Sequence, residues 1–113
     1  MEIKPNIQFD TFNDCDIRKG TIQTAVPVPK SKKLIMMTVS FGQYVGERTI
    51  LSGIASHYTC EELVGKSVTA IINLEPRSMM GIESHGMLLC YHTADGKVRL
   101  LQPVDAIDGD EIG

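Results

Sequence analysis

The tripeptide Glu83-Ser84-His85 is the part of the sequence whose residue types come closest to a catalytic group. A hydroxyl beside an imidazole can act as a nucleophile activated by its general base. Such a pair also needs an orienting acid and oxyanion donors, and neighbouring residues of a strand point to opposite faces. Glu61 and Glu62 need no catalytic explanation, because negative charge is favoured at a helix N-terminus. We therefore predict that the protein is not an enzyme.

The cysteines give no support for a zinc site or a disulfide framework. Cys15, Cys60 and Cys90 are far apart in the sequence, with no Cys-x-x-Cys pair and no histidine at ligand spacing. We expect them to be packing residues in a reducing compartment, and we predict no metal and no cofactor. The sequence starts without the pattern of a secretion signal, and its apolar runs are far shorter than the roughly 20 residues that cross a bilayer. We therefore expect a cytoplasmic protein with no membrane partner.

Cationic side chains that could bind phosphate are concentrated in the middle of the chain. The formal net charge of −3 argues against a nucleic-acid partner if the charge is spread evenly. The acidic residues, however, are concentrated at the two ends, and residues 17–100 hold ten Lys or Arg against six Asp or Glu. The central part is therefore mildly basic, and its densest cluster is formed by Lys30, Lys32 and Lys33.

The positions of apolar and turn-forming residues predict a chain made mainly of β-strands. Alternating or β-branched segments predict strands at residues 15–25, 34–41, 48–54, 68–74 and 87–92, with a hairpin partner at 98–101. Residues 75–86 are expected to form an irregular loop, because Pro76, Gly81 and Gly86 interrupt them.

One short helix is expected between the third and fourth strands. Thr59 and Glu62 have the spacing of a capping box, and Gly65 supplies the C-terminal stop. Strands of this length with a helix at this place predict an all-β, five-stranded OB-fold barrel with extra N- and C-terminal segments. We expect a single domain over residues 1–113, with its core at about 9–101 and an acidic C-terminal extension at 102–113.

A series of short motifs runs in a fixed order from Phe9 to Leu101. They are Asp16-Ile-Arg-Lys-Gly, Lys33-Leu, Val39-Ser-Phe-Gly, Arg48-Thr-Ile-Leu-Ser-Gly-Ile-Ala, Tyr58-Thr-Cys-Glu-Glu-Leu-Val-Gly-Lys, Asn73-Leu-Glu-Pro-Arg and Met80-Gly-Ile-Glu-Ser-His-Gly-Met-Leu-Leu. In this order and with these gaps, the motifs resemble the tRNA-binding OB domains. Such domains occur alone as homodimeric bacterial proteins and as parts of methionyl- and tyrosyl-tRNA synthetases.

The resemblance implies a tRNA-binding surface around residues 73–87, formed by Lys33, Arg48, Asn73, Arg77, Ser84 and Met87. Additional contacts are expected from Lys30, Lys32, Met79 and Met80. The cations can neutralise phosphates, the amide and hydroxyl can bind sugars or base edges, and methionine offers a polarisable surface to a base. Members of the family often carry Lys or Arg where this chain has Glu75, Ser78 and Met80. The resemblance therefore implies weaker and less salt-sensitive binding.

The sequence leaves two main functions open, with a docking subunit for a synthetase as a third possibility. The first, favoured by the motif around Arg77, is a non-catalytic homodimer that binds tRNA by its folded shape and can assist an aminoacyl-tRNA synthetase. The alternative is a homodimeric export-related chaperone of the same fold that binds unfolded peptides, as the acidic balance, Glu75 and the methionines suggest. The dimer interface is expected to use apolar residues toward both ends of the chain: Phe9, Phe12, Leu100, Leu101, Val104 and Ile107.

Overall fold

A computed structural model describes residues 2–113, which form short strands joined by turns and brief helices. The strands are β1 (Ile17–Pro27), β2 (Ile35–Ser40), β3 (Glu47–Ser52), β4 (Ser67–Ile71), β5 (Arg77–Met79), β6 (Ile82–Ser84), β7 (Met87–Leu88), β8 (Cys90–His92), β9 (Val98–Leu100) and β10 (Glu111–Ile112). The helices are α1 (Phe9–Asn13), α2 (Gly42–Val45) and α3 (Cys60–Leu63). Among the described residues, none of these helices is long and apolar enough to cross a membrane.

The central strand β1 belongs to a sheet with the order β3-β2-β1-β4-β7, in which neighbouring strands are antiparallel. The sheet curls until β3 meets the end of β6 and the residues that follow it. There the His85 N–H donates to the Thr49 carbonyl at 2.8 Å, and the Leu51 N–H donates to Ser84 Oγ at 3.0 Å. The result is a nearly closed five-stranded barrel, which confirms the predicted all-β OB fold.

The barrel core follows from the alternation of apolar and polar residues along its strands. In β2, Ile35, Met37 and Val39 point inward and are almost completely buried, while the residues between them are half-buried. Ile50 of β3 and Val68 of β4 join the same cluster. Burying each of these side chains contributes about 1.5–3 kcal/mol, so this shared interior fixes the register of the strands.

Helix α3 is confirmed between β3 and β4, with the predicted capping box. Thr59 Oγ1 accepts a hydrogen bond from the Glu62 N–H at 3.2 Å, and Glu62 Oε1 accepts one from the Thr59 N–H at 2.7 Å. Leu63, at the end of the helix, is completely buried in the barrel core. The local signal of the cap and the tertiary packing therefore favour the same short helix.

The prediction of an irregular loop at residues 75–86 is wrong for most of its length. β5 and β6 form a hairpin in which Arg77 lies opposite Ser84 and Met79 lies opposite Ile82. The two turn residues, Met80 and Gly81, both have positive φ, at 52° and 79°. Two positive φ angles are typical of a type I′ turn, whose twist matches that of the flanking strands. The predicted fifth strand is likewise divided into β7 and β8.

The acidic C-terminal extension packs onto the barrel instead of remaining in solvent. β10 pairs with the start of β1, and Asp108 Oδ1 lies 2.8 Å from the Nζ of the buried Lys19 and accepts a hydrogen bond from Thr21. Burial by itself would raise the pKa of Asp108. The hydrogen bonds from Lys19 and Thr21 and the charge of Lys19 outweigh burial, so the pKa lies below the ordinary value.

The apolar residues predicted for a dimer interface fall into two groups. Leu100 is a core residue with only 3% of its surface exposed, so its assignment to an interface is wrong. The others have large exposed fractions in the described chain: Phe9, Phe12, Leu101, Val104 and Ile107. These five apolar side chains therefore lie at the surface of the described chain.

Candidate nucleic-acid interface

The β5–β6 hairpin packs beside β3 and leaves a cleft of about 390 Å³ where the barrel closes. Its lining residues come from β3, from the β5–β6 hairpin and from the segments beside it: Leu51, Leu74, Glu75, Arg77, Met79, Ser84, Gly86 and Met87. Four of these residues belong to the predicted tRNA surface or to its additional contacts. The structure therefore brings together Arg77, Ser84, Met87 and Met79 around one cleft.

Ser84 lies inside the wall of this cleft and holds the barrel closed. Only 2% of its surface is exposed. Its Oγ accepts a hydrogen bond from the Leu51 N–H at 3.0 Å and donates one to the Gly86 carbonyl at 3.2 Å. The hydroxyl predicted to contact RNA is therefore engaged within the protein by both of these hydrogen bonds, and its contact with RNA stays a prediction.

The same geometry argues against a catalytic role for Ser84 and His85. The hydrogen-bond partners of the Ser84 hydroxyl are the backbones of Leu51 and Gly86. The His85 imidazole instead lies 3.4 Å from the Glu83 carboxylate on the outer side. The two side chains are thus directed apart, as the alternation of a strand requires. Within residues 2–113, the structure contains no cluster of three or more side chains that could hold a metal ion.

Arg48 and Asn73 lie next to each other at one end of the barrel, and both have internal partners. Arg48 Nη1 donates to the Ile72 carbonyl at 2.8 Å. The Asn73 amide accepts from the Asp16 N–H at 2.8 Å and donates to the Asp14 carbonyl at 2.6 Å. A guanidinium has five N–H donors and a side-chain amide has two, so each group keeps donors for a ligand.

The Arg77 guanidinium is the cation of the cleft that has no internal partner. Within residues 2–113, it takes part in no ion pair and no side-chain hydrogen bond, and the residue is exposed. Arg18 and Lys19, in contrast, have acidic partners. Arg18 forms ion pairs with Asp16 and Glu111, and Lys19 forms one with Asp108. Two cations of the mildly basic central region are thus neutralised internally.

The methionines of the hairpin and of β7 differ in their relation to the cleft. Met79 is half-buried and Met87 is half-exposed, and both line the cleft. Met80 is exposed at the hairpin turn and does not contribute to the lining. The cleft therefore has an apolar, polarisable wall made by Met79 and Met87 together with two leucines.

The lysine cluster forms a second cationic group, separate from Arg48. Lys30, Lys32 and Lys33 are exposed in the loop before β2. In the pairing of β2 with β3, Ile35 lies opposite Ser52 and Val39 lies opposite Arg48. Four residues along a strand span about 13 Å, so Lys33 and Arg48 lie at opposite ends of this strand pair.

Sequence reasoning missed the strand residue that forms the floor of the cleft. Leu51 follows the core residue Ile50, so alternation along β3 directs it away from the barrel interior, towards the hairpin. The available signal was the pair of adjacent apolar residues in an alternating strand, which indicates that both faces of β3 are covered. Because the hairpin itself was not predicted, nothing in the sequence indicated what would cover Leu51.

The barrel and its half-apolar cleft with unpaired charges define a ligand-binding module of the OB class. The chain belongs to the family described as "Putative tRNA binding domain", whose pattern matches residues 17–110. It is 48% identical over 101 residues to methionine–tRNA ligase from Parabacteroides distasonis and 42% identical over 113 residues to that of Chlorobium chlorochromatii. These matches cover 89% and 99% of this chain but only 15% and 16% of the ligases.

Solved structures of two kinds are similar to this chain. The MetRS related protein from Pyrococcus horikoshii is 36% identical with a TM-score of 0.88, and the match covers 97% of this chain and 100% of that one. The chaperone CsaA from Bacillus anthracis is 28% identical with a TM-score of 0.86, and the match covers 96% and 100% of the two chains. The fold is therefore shared by a synthetase-related protein and a chaperone.

Proposed function

We propose that this chain is a non-catalytic module that binds tRNA by its folded shape. The observation that carries the proposal is the match of the tRNA-binding domain family to residues 17–110. The unpaired Arg77 at the apolar cleft supports it, because phosphate contacts need cations that no internal acid neutralises. The proposed domain extends over residues 1–113, since β10 joins the acidic extension to β1. A cytoplasmic location follows from the proposed ligand.

The proposed contacts divide into phosphate and base contacts. Arg77 would neutralise phosphates at the cleft, and Lys33, with Lys30 and Lys32, would do so at the second cationic group. Arg48 and Asn73 would donate their remaining N–H groups to sugars or phosphates, with part of each side chain committed to the barrel. Met87 and Met79 would contact a base. Met80 would reach RNA only from the exposed turn, and Ser84 would act through the backbone it positions.

We further propose that the protein acts as a homodimer that assists an aminoacyl-tRNA synthetase. The exposed apolar residues of the two terminal segments support the dimer: Phe9, Phe12, Leu101, Val104 and Ile107. Two copies would present two clefts to one RNA. The similarity to methionine–tRNA ligases supports the synthetase as a partner, although the chain spans only about 15% of the length of those relatives.

The test of tRNA binding compares Arg77→Ala with Lys97→Ala in fluorescence anisotropy titrations at several salt concentrations. Both substitutions remove one positive charge from an exposed residue, but Lys97 lies in the β8–β9 turn, away from the cleft. A lost phosphate contact reduces the magnitude of the slope of log affinity against log salt by about 0.7–0.9. We expect this reduction for Arg77→Ala and an unchanged slope for Lys97→Ala. Equal effects of the two substitutions would contradict the proposed site.

A peptide-binding chaperone is the second candidate, supported by the apolar cleft wall and the similarity to CsaA. Its test measures how well the protein suppresses aggregation of an unfolded client. Met79 lines the cleft and Met80 does not, so Met79→Ser and Met80→Ser form a matched pair. Loss of suppression in Met79→Ser alone, with negligible tRNA affinity in the unmodified protein, would favour the chaperone over the tRNA-binding module.

A further inference from the structure

Glu75 is the feature of the cleft that phosphate binding does not explain. It lines the cleft with Arg77, is exposed, and takes part in no ion pair and no side-chain hydrogen bond within residues 2–113. A carboxylate near RNA phosphates opposes binding through like-charge repulsion. It contributes to binding where it accepts hydrogen bonds from N–H groups of a base or from hydroxyl groups of a ribose.

The cleft has the size and lining of a site for one nucleotide. Its volume of about 390 Å³ lies within the range of roughly 300–1,000 Å³ that small-ligand sites occupy. Leu74, Met79 and Met87 provide an apolar, polarisable wall for the face of a planar base. The opposite charges of Glu75 and Arg77 suit a ligand that has a phosphate and N–H donors. RNA is commonly recognised in this way, through unpaired bases that leave the stack.

The hydrogen-bonding pattern of a carboxylate distinguishes among the four bases. An ionised carboxylate has two acceptor oxygens and no donor. The Watson–Crick edge of guanine presents two adjacent donors, its N1–H and its 2-amino group. Adenine and cytosine each place a ring nitrogen acceptor beside their single amino group, and uracil places its one N–H between two carbonyls. Only guanine therefore offers paired donors that match both oxygens of Glu75.

We propose that the cleft is a subsite for one unpaired guanosine nucleotide of the bound RNA. The Glu75 carboxylate accepts hydrogen bonds from N1–H and the 2-amino group, the base packs on Met79 and Met87, and Arg77 binds the phosphate. This inference rests on the proposed tRNA-binding function and adds a base preference to recognition by shape. It also gives a role to Glu75, which phosphate binding alone does not explain.

The test uses the full chain and NMR titrations with GMP, IMP, AMP, CMP and UMP. Inosine keeps N1–H and lacks the 2-amino group, so IMP removes one of the two charge-assisted hydrogen bonds. We expect GMP to bind most tightly and IMP to bind about tenfold more weakly, which corresponds to about 1.4 kcal/mol. The methyl signals of Met79 and Met87 are expected to shift on binding GMP.

The variant Glu75→Gln replaces one acceptor oxygen by a donor and is expected to abolish the preference for GMP over IMP. Glu83→Gln is the matched control, because Glu83 is an exposed acid of the neighbouring β5–β6 hairpin that does not line the cleft. Retention of the preference in Glu75→Gln would overturn the subsite. Equal binding of GMP and AMP, or an absence of signal shifts at millimolar GMP, would overturn it as well.

A parallel titration with folded tRNA distinguishes failure of the subsite from failure of the proposed function. If tRNA binds with a salt slope that depends on Arg77 but GMP shows no preference, only the guanosine subsite is overturned. If neither tRNA nor GMP binds, the proposed function is overturned together with the subsite. Binding of tRNA together with a preference for GMP that depends on Glu75 supports both.

Discussion

Replacing Ser84 by alanine tests whether this hydroxyl closes the barrel or contacts RNA. Its Oγ is the acceptor for the Leu51 N–H, and both residues are at least 96% buried. Without the hydroxyl, this buried N–H has no acceptor on the hairpin, and an unsatisfied buried donor costs about 1–3 kcal/mol. Because about 1 kcal/mol lowers Tm by roughly 4–8 °C in small domains, we expect Ser84→Ala to lower Tm by several degrees or more.

The assay pairs thermal denaturation with tRNA titrations below the transition. Ser78→Ala is the matched control, because Ser78 is an exposed serine of the same hairpin with no side-chain hydrogen bond in the described chain. We expect Ser84→Ala to lower Tm and to leave the salt slope of tRNA binding unchanged, whereas Ser78→Ala changes Tm little. An unchanged Tm with a clear loss of tRNA affinity in Ser84→Ala would refute the structural assignment.

Three other outcomes follow from particular contacts. Gly86→Ala is expected to lower the free energy of unfolding by about 1–3 kcal/mol in urea, because Gly86 has a φ of +129° and a Cβ there would lie 3.0 Å from the Ile71 carbonyl oxygen. The pKa of Asp108 is lower in the folded protein than the ordinary value of 3.8, so its carboxylate stabilises the fold at pH values above 3.8. This stabilisation is lost as the pH falls below 3.8. Asp108→Asn should therefore flatten the fall of Tm in acid, and an unaltered acid profile would contradict the role of this ion pair. Ile107→Asp, which charges an exposed apolar residue, is expected to convert a dimer to monomer in sedimentation velocity, and an unchanged species would contradict the proposed interface.

The elements with local signals were predicted correctly from the sequence. The capping box of Thr59 and Glu62 needs only residues three positions apart, and the structure confirms both of its hydrogen bonds. The barrel strands have alternating or β-branched patterns, which determine the inward face of β2 and β3. These local patterns were sufficient for the fold class.

The β5–β6 hairpin was missed because its turn lacks the usual sequence signal. Two-residue hairpin turns are recognised by Asn-Gly or Asp-Gly, which tolerate positive φ at both positions. Here Met80 adopts a φ of 52° ahead of Gly81, although methionine has no such preference. The pairing of the hairpin and its packing against β3 stabilise this turn, so local propensity could not reveal it.

The contacts of the site and of the C-terminal segment depend on residues far apart in the sequence. Ser84 bonds to Leu51 across 33 positions, and Lys19 bonds to Asp108 across 89. No local pattern encodes such pairs, so the sequence showed neither the internal partners of Ser84 nor the packing of the acidic extension onto the barrel. The exposure of Lys33 and Arg77 was easier to predict, because lysine and arginine side chains are mostly exposed.

The central claim is that the protein recognises folded tRNA, and one comparison of affinities tests it most directly. Fluorescence anisotropy at several salt concentrations would measure binding of a folded tRNA and of a single-stranded RNA of equal length. Equal length gives both ligands the same number of phosphates, so a difference in affinity reports the folded shape. We predict clearly tighter binding of the folded tRNA. Equal and feeble affinity for both RNAs, even at low salt, would contradict the claim.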